Sequence, residues 1–418
     1  MKKILFILYT CCILLFPVSA QQIPSFKAND RIVFLGNSIT EGGHYHSYIW
    51  LYYMTHFPEL PLRIYNGGIG GDCASHMVFR FDSDIKIKKP TYLVCSFGMN
   101  DSGYDGYNKP GYDKYANKQV EYANTEFGKL QQQILADKKI KNVVLLGSSP
   151  YDENVKLEGV ETLHGKNETI KRIIEMQAEV AQKRGWGFVN FNTVMCELNK
   201  EIQQSDSTAT FCGGDRIHPD KDGHMVMAYL FLKAQGLAGK EVAYFHINAT
   251  NRKAMEERNC RITHIKNEND TISFSYLSRS LPFPVDTIPR WGTKGTARDA
   301  VRQVPFMQEM NQEIMKVTDL HGNFRVTIDG TEIGRWDGNE LSKGINLAEI
   351  TCTPQYQQSL SIMYLNEERC AIEKRLRQYM AMQYVFFKHR GLLFADNKAA
   401  LDAAKAERES HYLVKYLY

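Results

Sequence analysis

The sequence predicts an α/β fold, with a parallel sheet covered by helices on both faces and a differently organised region after it. Five short apolar runs between residues 30 and 236 alternate with stretches of helical periodicity. Strands that alternate with helices form parallel sheets buried on both faces. After about residue 240 this alternation ends. Because ligands of such sheets bind at the carboxyl ends of the strands, we expect the functional residues to follow the apolar runs.

The five runs are the strand candidates, and the spacing of apolar residues marks two helices between them. The runs cover residues 31–35, 62–65, 92–97, 143–146 and 187–191. Apolar residues recur at steps of three and four through residues 120–134 and 170–181, which predicts amphipathic helices. We expect Gly185 to end the second of these helices.

The residues after 240 predict strands followed by helices. Residues 242–247 and 272–276 are strand candidates, and Asp329-Gly330 between two further apolar runs favours a hairpin with a type I′ turn. The last sixty residues are rich in Glu, Lys, Arg and Ala and are predicted to be mostly helical. We therefore expect one domain over residues 21–240 and an accessory region over residues 241–418.

Composition excludes several classes of protein. The 418 residues suggest two or three domains at about 150 residues each. A net charge of +4 gives no strongly basic face for nucleic acid. A mean hydropathy of −0.38 excludes a polytopic membrane protein. No cysteine or histidine spacing matches a zinc site, and we expect no metal and no cofactor.

Residues 1–20 have the pattern of a secretory signal peptide. Lys2-Lys3 precedes an apolar run that ends in Val18-Ser19-Ala20, so cleavage is expected before Gln21. A retained membrane anchor is the alternative, which the short run and its proline disfavour. We expect a periplasmic or extracellular protein. In that compartment Cys196 and Cys212, which flank one loop, could pair as a disulfide.

Four short motifs follow the predicted strands and carry groups suited to ester chemistry. The first places Ser38 at a turn after strand one, and a serine hydroxyl needs a nearby base to act as a nucleophile. The second is the glycine-rich stretch 66–72, whose N–H groups could bind an oxyanion. The third presents Asn100, and the fourth is Asp215-Arg216-Ile217-His218, in which a spacing of three brings carboxylate and imidazole together. Taken alone, each motif is also typical of a helix cap or a turn.

In this order, the four motifs resemble those of the SGNH hydrolases, also called GDSL-type esterases, over roughly residues 28–236. The resemblance implies a flavodoxin-like three-layer α/β/α domain with a Ser-His-Asp triad of Ser38, His218 and Asp215. It further implies that the oxyanion is bound by Ser38 N–H, Gly71 N–H and the side chain of Asn100. Gly70 is the fallback for Gly71. The sequence departs from the family by having Asn37 where an aspartate usually precedes the serine.

The resemblance implies a secreted serine esterase that deacylates, and in particular deacetylates, carbohydrate. Tyr104 and Tyr107 follow the third motif in a tyrosine-rich loop and are candidates for contact with sugar rings, although such a loop also packs its rings onto the domain. Two alternatives remain at this point. One is a non-catalytic glycan-binding protein on the same scaffold, and the other is an esterase for lipid or thioester substrates.

Overall fold

The computed structural model describes residues 22–409, except residues 270 and 290–293. The predicted signal peptide therefore lies outside the described residues. Within the described ranges, no helix is long and apolar enough to cross a membrane.

A five-stranded parallel sheet forms the centre of the first part of the chain. Its strands are β1 (Arg31–Gly36), β2 (Arg63–Gly68), β3 (Tyr92–Phe97), β4 (Asn142–Gly147) and β5 (Gly187–Asn190). They lie in the order β2-β1-β3-β4-β5, and all neighbours are parallel. This is the flavodoxin-like strand order, and it confirms both the predicted fold class and the five predicted strands.

Helices cover the sheet on both faces. They are α1 (Ser38–Gly42), α2 (His44–His56), α3 (Ala74–Arg80), α4 (Tyr112–Ala136), α5 (Lys166–Arg184), α6 (Phe191–Ile202) and α7 (Lys221–Ala234). Phe34 in β1 packs with residues of α2, α6 and α7, whereas its neighbour Leu35 packs with residues of α3, α4 and α5. Successive side chains of a strand point to opposite faces, so one strand contributes to two cores. Helix α5 ends before Gly185, which has the left-handed φ of 65° expected of a stop.

After α7 the chain forms smaller sheets and further helices. The strands are β6 (Ala243–Asn248), β7 (Lys253–Arg258), β8 (Cys260–Glu268), β9 (Thr271–Ser278), β10 (Glu313–Thr318), β11 (Asn323–Ile328), β12 (Thr331–Asp337) and β13 (Ile345–Asn346). The helices are α8 (Ala297–Ala300), α9 (Phe306–Met310), α10 (Gly338–Lys343), α11 (Pro354–Ala381) and α12 (Lys398–Glu409). Four of these strands form one sheet in the order β13-β10-β6-β7.

The predicted hairpin is present as β11 and β12. Its two turn residues, Asp329 and Gly330, have φ values of 48° and 82°. Positive φ at both central positions defines a type I′ turn, which confirms the prediction from the Asp-Gly pair.

Helix α11 packs back against the first part of the chain. The Asn366 amide donates to Ser47 Oγ in α2 at 2.8 Å, and two turns later Glu373 Oε1 accepts from Asn66 N in β2 at 2.7 Å. One turn further along, Arg377 contacts the end of β2. The region after residue 240 is therefore attached directly to the central sheet.

All seven described cysteines are free thiols, so the Cys196–Cys212 pair is not formed. Asn199 donates to Cys212 Sγ at 3.3 Å, and Asn167 donates to Cys196 Sγ at 3.4 Å. Each sulfur is thus occupied by an amide partner of its own.

A buried carboxyl group in the region after residue 240 is expected to make the free energy of unfolding depend on pH. Glu313, the first residue of β10, accepts hydrogen bonds from Tyr276 at 2.7 Å and Gln355 at 3.1 Å. Burial raises the pKa of Glu313 to about 7. Because the folded pKa exceeds the unfolded value, stability is present at low pH and is lost as the pH rises through about 7. We expect Glu313→Gln to raise the free energy of unfolding relative to the parent at about pH 8, but not at about pH 4.

Denaturant unfolding at both pH values tests this expectation. Glu179→Gln, at an exposed position on α5, is the control and should show no pH-dependent difference from the parent. If Glu313→Gln lowers the free energy of unfolding equally at both pH values, folding does not raise the pKa of Glu313, and the expected pH dependence is wrong.

Candidate active site

Ser38 lies at the tight turn between β1 and α1, and Asn37 forms that turn. The Asn37 side chain accepts a hydrogen bond from Ile39 N at 3.1 Å, so Asn37 is the N-cap and Ser38 is the first residue of the helix. The alternative in which Ser38 itself caps the helix is wrong. Asparagine caps a helix about as well as aspartate, which explains how this turn forms without the family's usual acidic residue.

Ser38, His218 and Asp215 form a continuous hydrogen-bonded chain. Ser38 Oγ lies 2.7 Å from His218 Nε2, and His218 Nδ1 lies 2.5 Å from Asp215 Oδ2. Asp215 Oδ1 also accepts from His218 N at 2.9 Å and from Ile217 N at 3.0 Å. The predicted spacing of three thus brings the carboxylate to Nδ1. Nε2 is then left to accept the hydroxyl proton, as a general base requires.

The electrostatics of the pair favour an ionised carboxylate. Partial burial acts to raise the pKa of Asp215, but the hydrogen bonds and charge of His218 outweigh it and lower the pKa below its ordinary value. An ionised Asp215 fixes the tautomer that carries its proton on Nδ1, and it stabilises the imidazolium that forms when Nε2 takes a proton.

Arg216, between the two functional residues, secures their turn. Its φ of 70° lies in the left-handed region, where side chains other than glycine are uncommon. Its buried guanidinium donates to Asp152 O at 3.1 Å and to Val155 O at 2.5 Å, and Arg216 O accepts from Asp152 N at 3.1 Å. These bonds hold a strained turn against the loop after β4. The sequence analysis did not identify Arg216, whose contacts depend entirely on tertiary structure.

Two of the three predicted oxyanion donors are backbone N–H groups, and the structure shows which of the candidates is unoccupied. The N–H of Ser38 begins a helix and has no acceptor within it. Gly70 N donates to Glu41 Oε2 at 2.5 Å, whereas Gly71 N has no acceptor among the described residues. Gly71, with a φ of 81°, is therefore the free backbone donor, and the fallback Gly70 is occupied.

The third donor, Asn100, is oriented by two hydrogen bonds. Its Nδ2 donates to Asp72 O at 3.0 Å, and its Oδ1 accepts from the Tyr104 hydroxyl at 2.8 Å. With Oδ1 occupied, the amide is fixed and Nδ2 keeps one N–H for a ligand. Asp101 holds the same turn by accepting from Gly98 N and Ala74 N, both at 2.8 Å.

In the tyrosine-rich loop, Tyr107 follows the alternative in which the ring packs onto the domain. Tyr107 is buried and donates to Ser102 O at 2.7 Å, so it belongs to the packing of the loop and is not available to a sugar ring. Tyr104 is partly buried, and its hydroxyl is directed at Asn100. Tyr104 thus supports the predicted oxyanion donor Asn100, and its contact with a sugar ring stays a prediction.

Lys166 supports this loop from beneath and was also missed. Its ammonium donates to Met99 O at 2.9 Å, Ser102 Oγ at 2.6 Å and Gly103 O at 2.5 Å. It also lies 3.7 Å from the centre of the Tyr104 ring. Burial lowers the pKa of Lys166 to about 7.

Within the described residues, no group of three or more His, Cys, Asp or Glu side chains is arranged to hold a metal ion.

Comparisons with known proteins decide the family. The model of the GDSL-like Lipase/Acylhydrolase family matches residues 34–226, and the model of the Diltiazem deacetylase C-terminal helical domain matches residues 360–417. A solved structure of a gut microbial diltiazem-metabolizing enzyme is 49% identical, covers 95% of this chain and 89% of its own, and has a TM-score of 0.91. The chain belongs to the GDSL-like lipase/acylhydrolase family.

A second relative is more distant. The acetylxylan esterase of Geobacillus stearothermophilus is 22% identical over 224 residues, which cover 50% of this chain and 95% of that protein. A solved structure of that esterase has a TM-score of 0.39 at 21% identity.

Membership of the GDSL family confirms the resemblance inferred from the four motifs. It also makes the protein a carboxylic ester hydrolase, which excludes the non-catalytic glycan-binding alternative.

The position of Tyr104 yields a prediction for this GDSL hydrolase. Tyr104→Phe keeps the ring but removes one of the two hydrogen bonds that orient the Asn100 amide, so we expect kcat to fall about tenfold with little change in KM. Asn100→Ala removes the donor itself and should cost about 10²–10³ in kcat. Steady-state kinetics on p-nitrophenyl acetate measure both effects, with Tyr112→Phe, at an exposed tyrosine on α4, as the control. A raised KM at unchanged kcat in Tyr104→Phe would instead indicate that Tyr104 contacts the substrate.

Proposed function

We propose that the protein is a serine O-deacetylase that hydrolyses acetate esters of bulky alcohols. The observation that carries the proposal is the continuous chain from Ser38 Oγ through His218 to Asp215, at 2.7 Å and 2.5 Å. The acetyl group is supported by the relative that matches nearly the whole chain, a diltiazem-metabolizing enzyme, and by the diltiazem deacetylase model over residues 360–417.

The mechanism begins with proton transfer. His218 Nε2 takes the Ser38 proton as the oxygen attacks the ester carbonyl, and Asp215 stabilises the imidazolium. The carbonyl oxygen gains a negative charge, which Ser38 N–H, Gly71 N–H and Asn100 Nδ2–H bind. His218 then gives its proton to the leaving alcohol, and the acetyl group remains on Ser38. Water, deprotonated by His218, releases acetate and restores the enzyme.

The exposure of the site favours a large alcohol. The side chains of His218 and Asp215 are 42% and 50% exposed, so the side from which the alcohol leaves is open. At Gly71 an added Cβ would meet no atom within 4 Å. A polycyclic alcohol such as the one in diltiazem and the sugar of an acetylated glycan both fit an open site. Acetylated carbohydrate, expected from the sequence, is therefore the second substrate class.

Export of the enzyme is part of the proposal. Residues 1–20 carry the signal pattern, which would place the enzyme in the periplasm or outside the cell. N-terminal sequencing of protein recovered outside the cytoplasm should begin at Gln21. An N-terminus at Met1 on protein retained in the cytoplasm would contradict export.

A substrate panel tests the reaction and its substrate. We expect the purified enzyme to release acetate from diltiazem and to prefer p-nitrophenyl acetate over p-nitrophenyl octanoate by at least about tenfold in kcat/KM, while Ser38→Ala releases none above background. Acetylated xylo-oligosaccharides form the third arm, and a higher kcat/KM there than on diltiazem would make carbohydrate the main class. A preference for the octanoate would contradict the deacetylase and support a lipid esterase.

A further inference from the structure

A cluster of buried charges lies beneath the turns that carry Ser38 and Gly71. At its centre is Asp84, whose side chain is fully buried. Three cations contact Asp84: Arg80 at 2.5 Å, Lys88 at 2.5 Å and Arg377 at 2.7 Å. Burial acts to raise the pKa of Asp84, but hydrogen bonds from Arg377 and the charges of all three cations lower it well below its usual range. The carboxylate is therefore ionised and holds two arginines in place.

Arg80 uses its remaining donors on the carboxyl ends of β1 and β2. It donates to Gly36 O at 3.2 Å and to Gly67 O at 2.7 Å. Its Nε donates to Asp72 Oδ2 at 2.7 Å, and Asp72 O in turn accepts from Asn100. Arg80 thus contacts Gly36, two residues before Ser38, and Asp72, which follows Gly71 and accepts from Asn100.

Arg377 reaches the same place from α11, far away in the sequence. Its Nε donates to Gly68 O at 2.9 Å, and its two terminal nitrogens donate to Asp84 Oδ1 at 2.8 Å and Oδ2 at 2.7 Å. Arginine is the residue that can make such a bidentate contact and still present a third donor at a fixed angle. The Arg377 side chain is 3% exposed, so water does not replace these bonds readily.

Gly68 packs directly against the helix that begins with the nucleophile, Ser38. An added Cβ at Gly68 would lie 2.2 Å from Glu41 N, so the end of β2 packs backbone to backbone against α1, which begins with Ser38. Ile69 N also donates to Gly36 O at 3.1 Å, which ties the glycine stretch to the residue before Asn37. A shift of Gly68 would therefore move both Ser38 and the Gly71 N–H.

We propose that Arg377 is a positioning residue for the oxyanion hole, so that helix α11 completes the active site of the hydrolase domain. The inference rests on the proposed function, because it assigns Arg377 to the geometry of Ser38 N–H and Gly71 N–H in that reaction. It gives the region after residue 240 a role in catalysis that its composition did not indicate.

Variants of Arg377 test the inference on p-nitrophenyl acetate. Losing an oxyanion donor costs about 10²–10³ in rate, and a displaced donor costs less, so we expect Arg377→Ala to lower kcat about 10- to 100-fold with KM changed less than about threefold. Millimolar guanidinium should restore part of kcat in Arg377→Ala but leave the parent unchanged. Arg377→Lys keeps the positive charge but cannot make the bidentate contact with Asp84, so its kcat should remain well below that of the parent. Arg375→Ala, at the exposed neighbouring arginine, is the matched control and should retain the parent's kcat.

A second readout separates oxyanion geometry from general loosening. A trifluoromethyl ketone binds serine esterases as a tetrahedral adduct whose oxygen occupies the oxyanion hole, so its inhibition constant in Arg377→Lys should rise by the same factor as kcat falls. Circular dichroism shows whether each variant is folded. If Arg377→Ala does not fold, the test uses Arg377→Lys alone. Folded variants with the parent's kcat and inhibition constant would overturn the inference. A parent that does not hydrolyse acetate esters would contradict the proposed function instead.

Discussion

Because every strand of the central sheet runs in the same direction, the turns that follow the strands emerge at one edge, and the residues of the proposed active site lie there. The ends of β1, β2 and β3 bring Ser38, Gly71 and Asn100 together, and the Asp215–His218 turn reaches the same edge from beyond α6. The order β2-β1-β3 places the strand before the predicted nucleophile, Ser38, between the two strands that precede the other predicted donors. This edge is where doubly wound sheets bind their ligands. Everything else at the site depends on holding these separate turns in register.

Hydrophobic packing alone does not hold them, since the turns consist mainly of glycines and polar residues. The chain instead buries charged side chains whose donors satisfy backbone carbonyls of the turns. Arg216 binds the loop beside the His218 turn, Lys166 binds the loop after β3, and Arg80 with Arg377 binds the ends of β1 and β2. A buried charge is costly unless it is fully paired, and each of these cations has several oxygen partners. Through the bonds of Arg377 to Gly68 and Asp84, these contacts attach α11 to the catalytic domain by defined donor and acceptor pairs.

Much of the catalytic domain could be predicted because its signals are local. The five strands, the end of α5 at Gly185 and the Asp329-Gly330 turn follow from periodicity and turn chemistry, and the four motifs follow from short spacings. The supporting residues could not be predicted in this way. Arg80 and Arg377 meet only because α11 returns to β2, and nothing in their sequence neighbourhoods distinguishes them from surface arginines. Tyr107, a candidate for substrate contact, lies buried, and a row of tyrosines in the sequence does not indicate which rings face inward.

In the proposed reaction Ser38 takes up the acetyl group and later releases it to water. The most direct test is rapid acid quenching of the enzyme during turnover of an acetate ester, followed by mass spectrometry of the intact protein and its peptides. We expect a transient mass gain equal to one acetyl group, located on Ser38 and absent from Ser38→Ala. Turnover with no acetylated enzyme, or with the acetyl group on another residue, would contradict it.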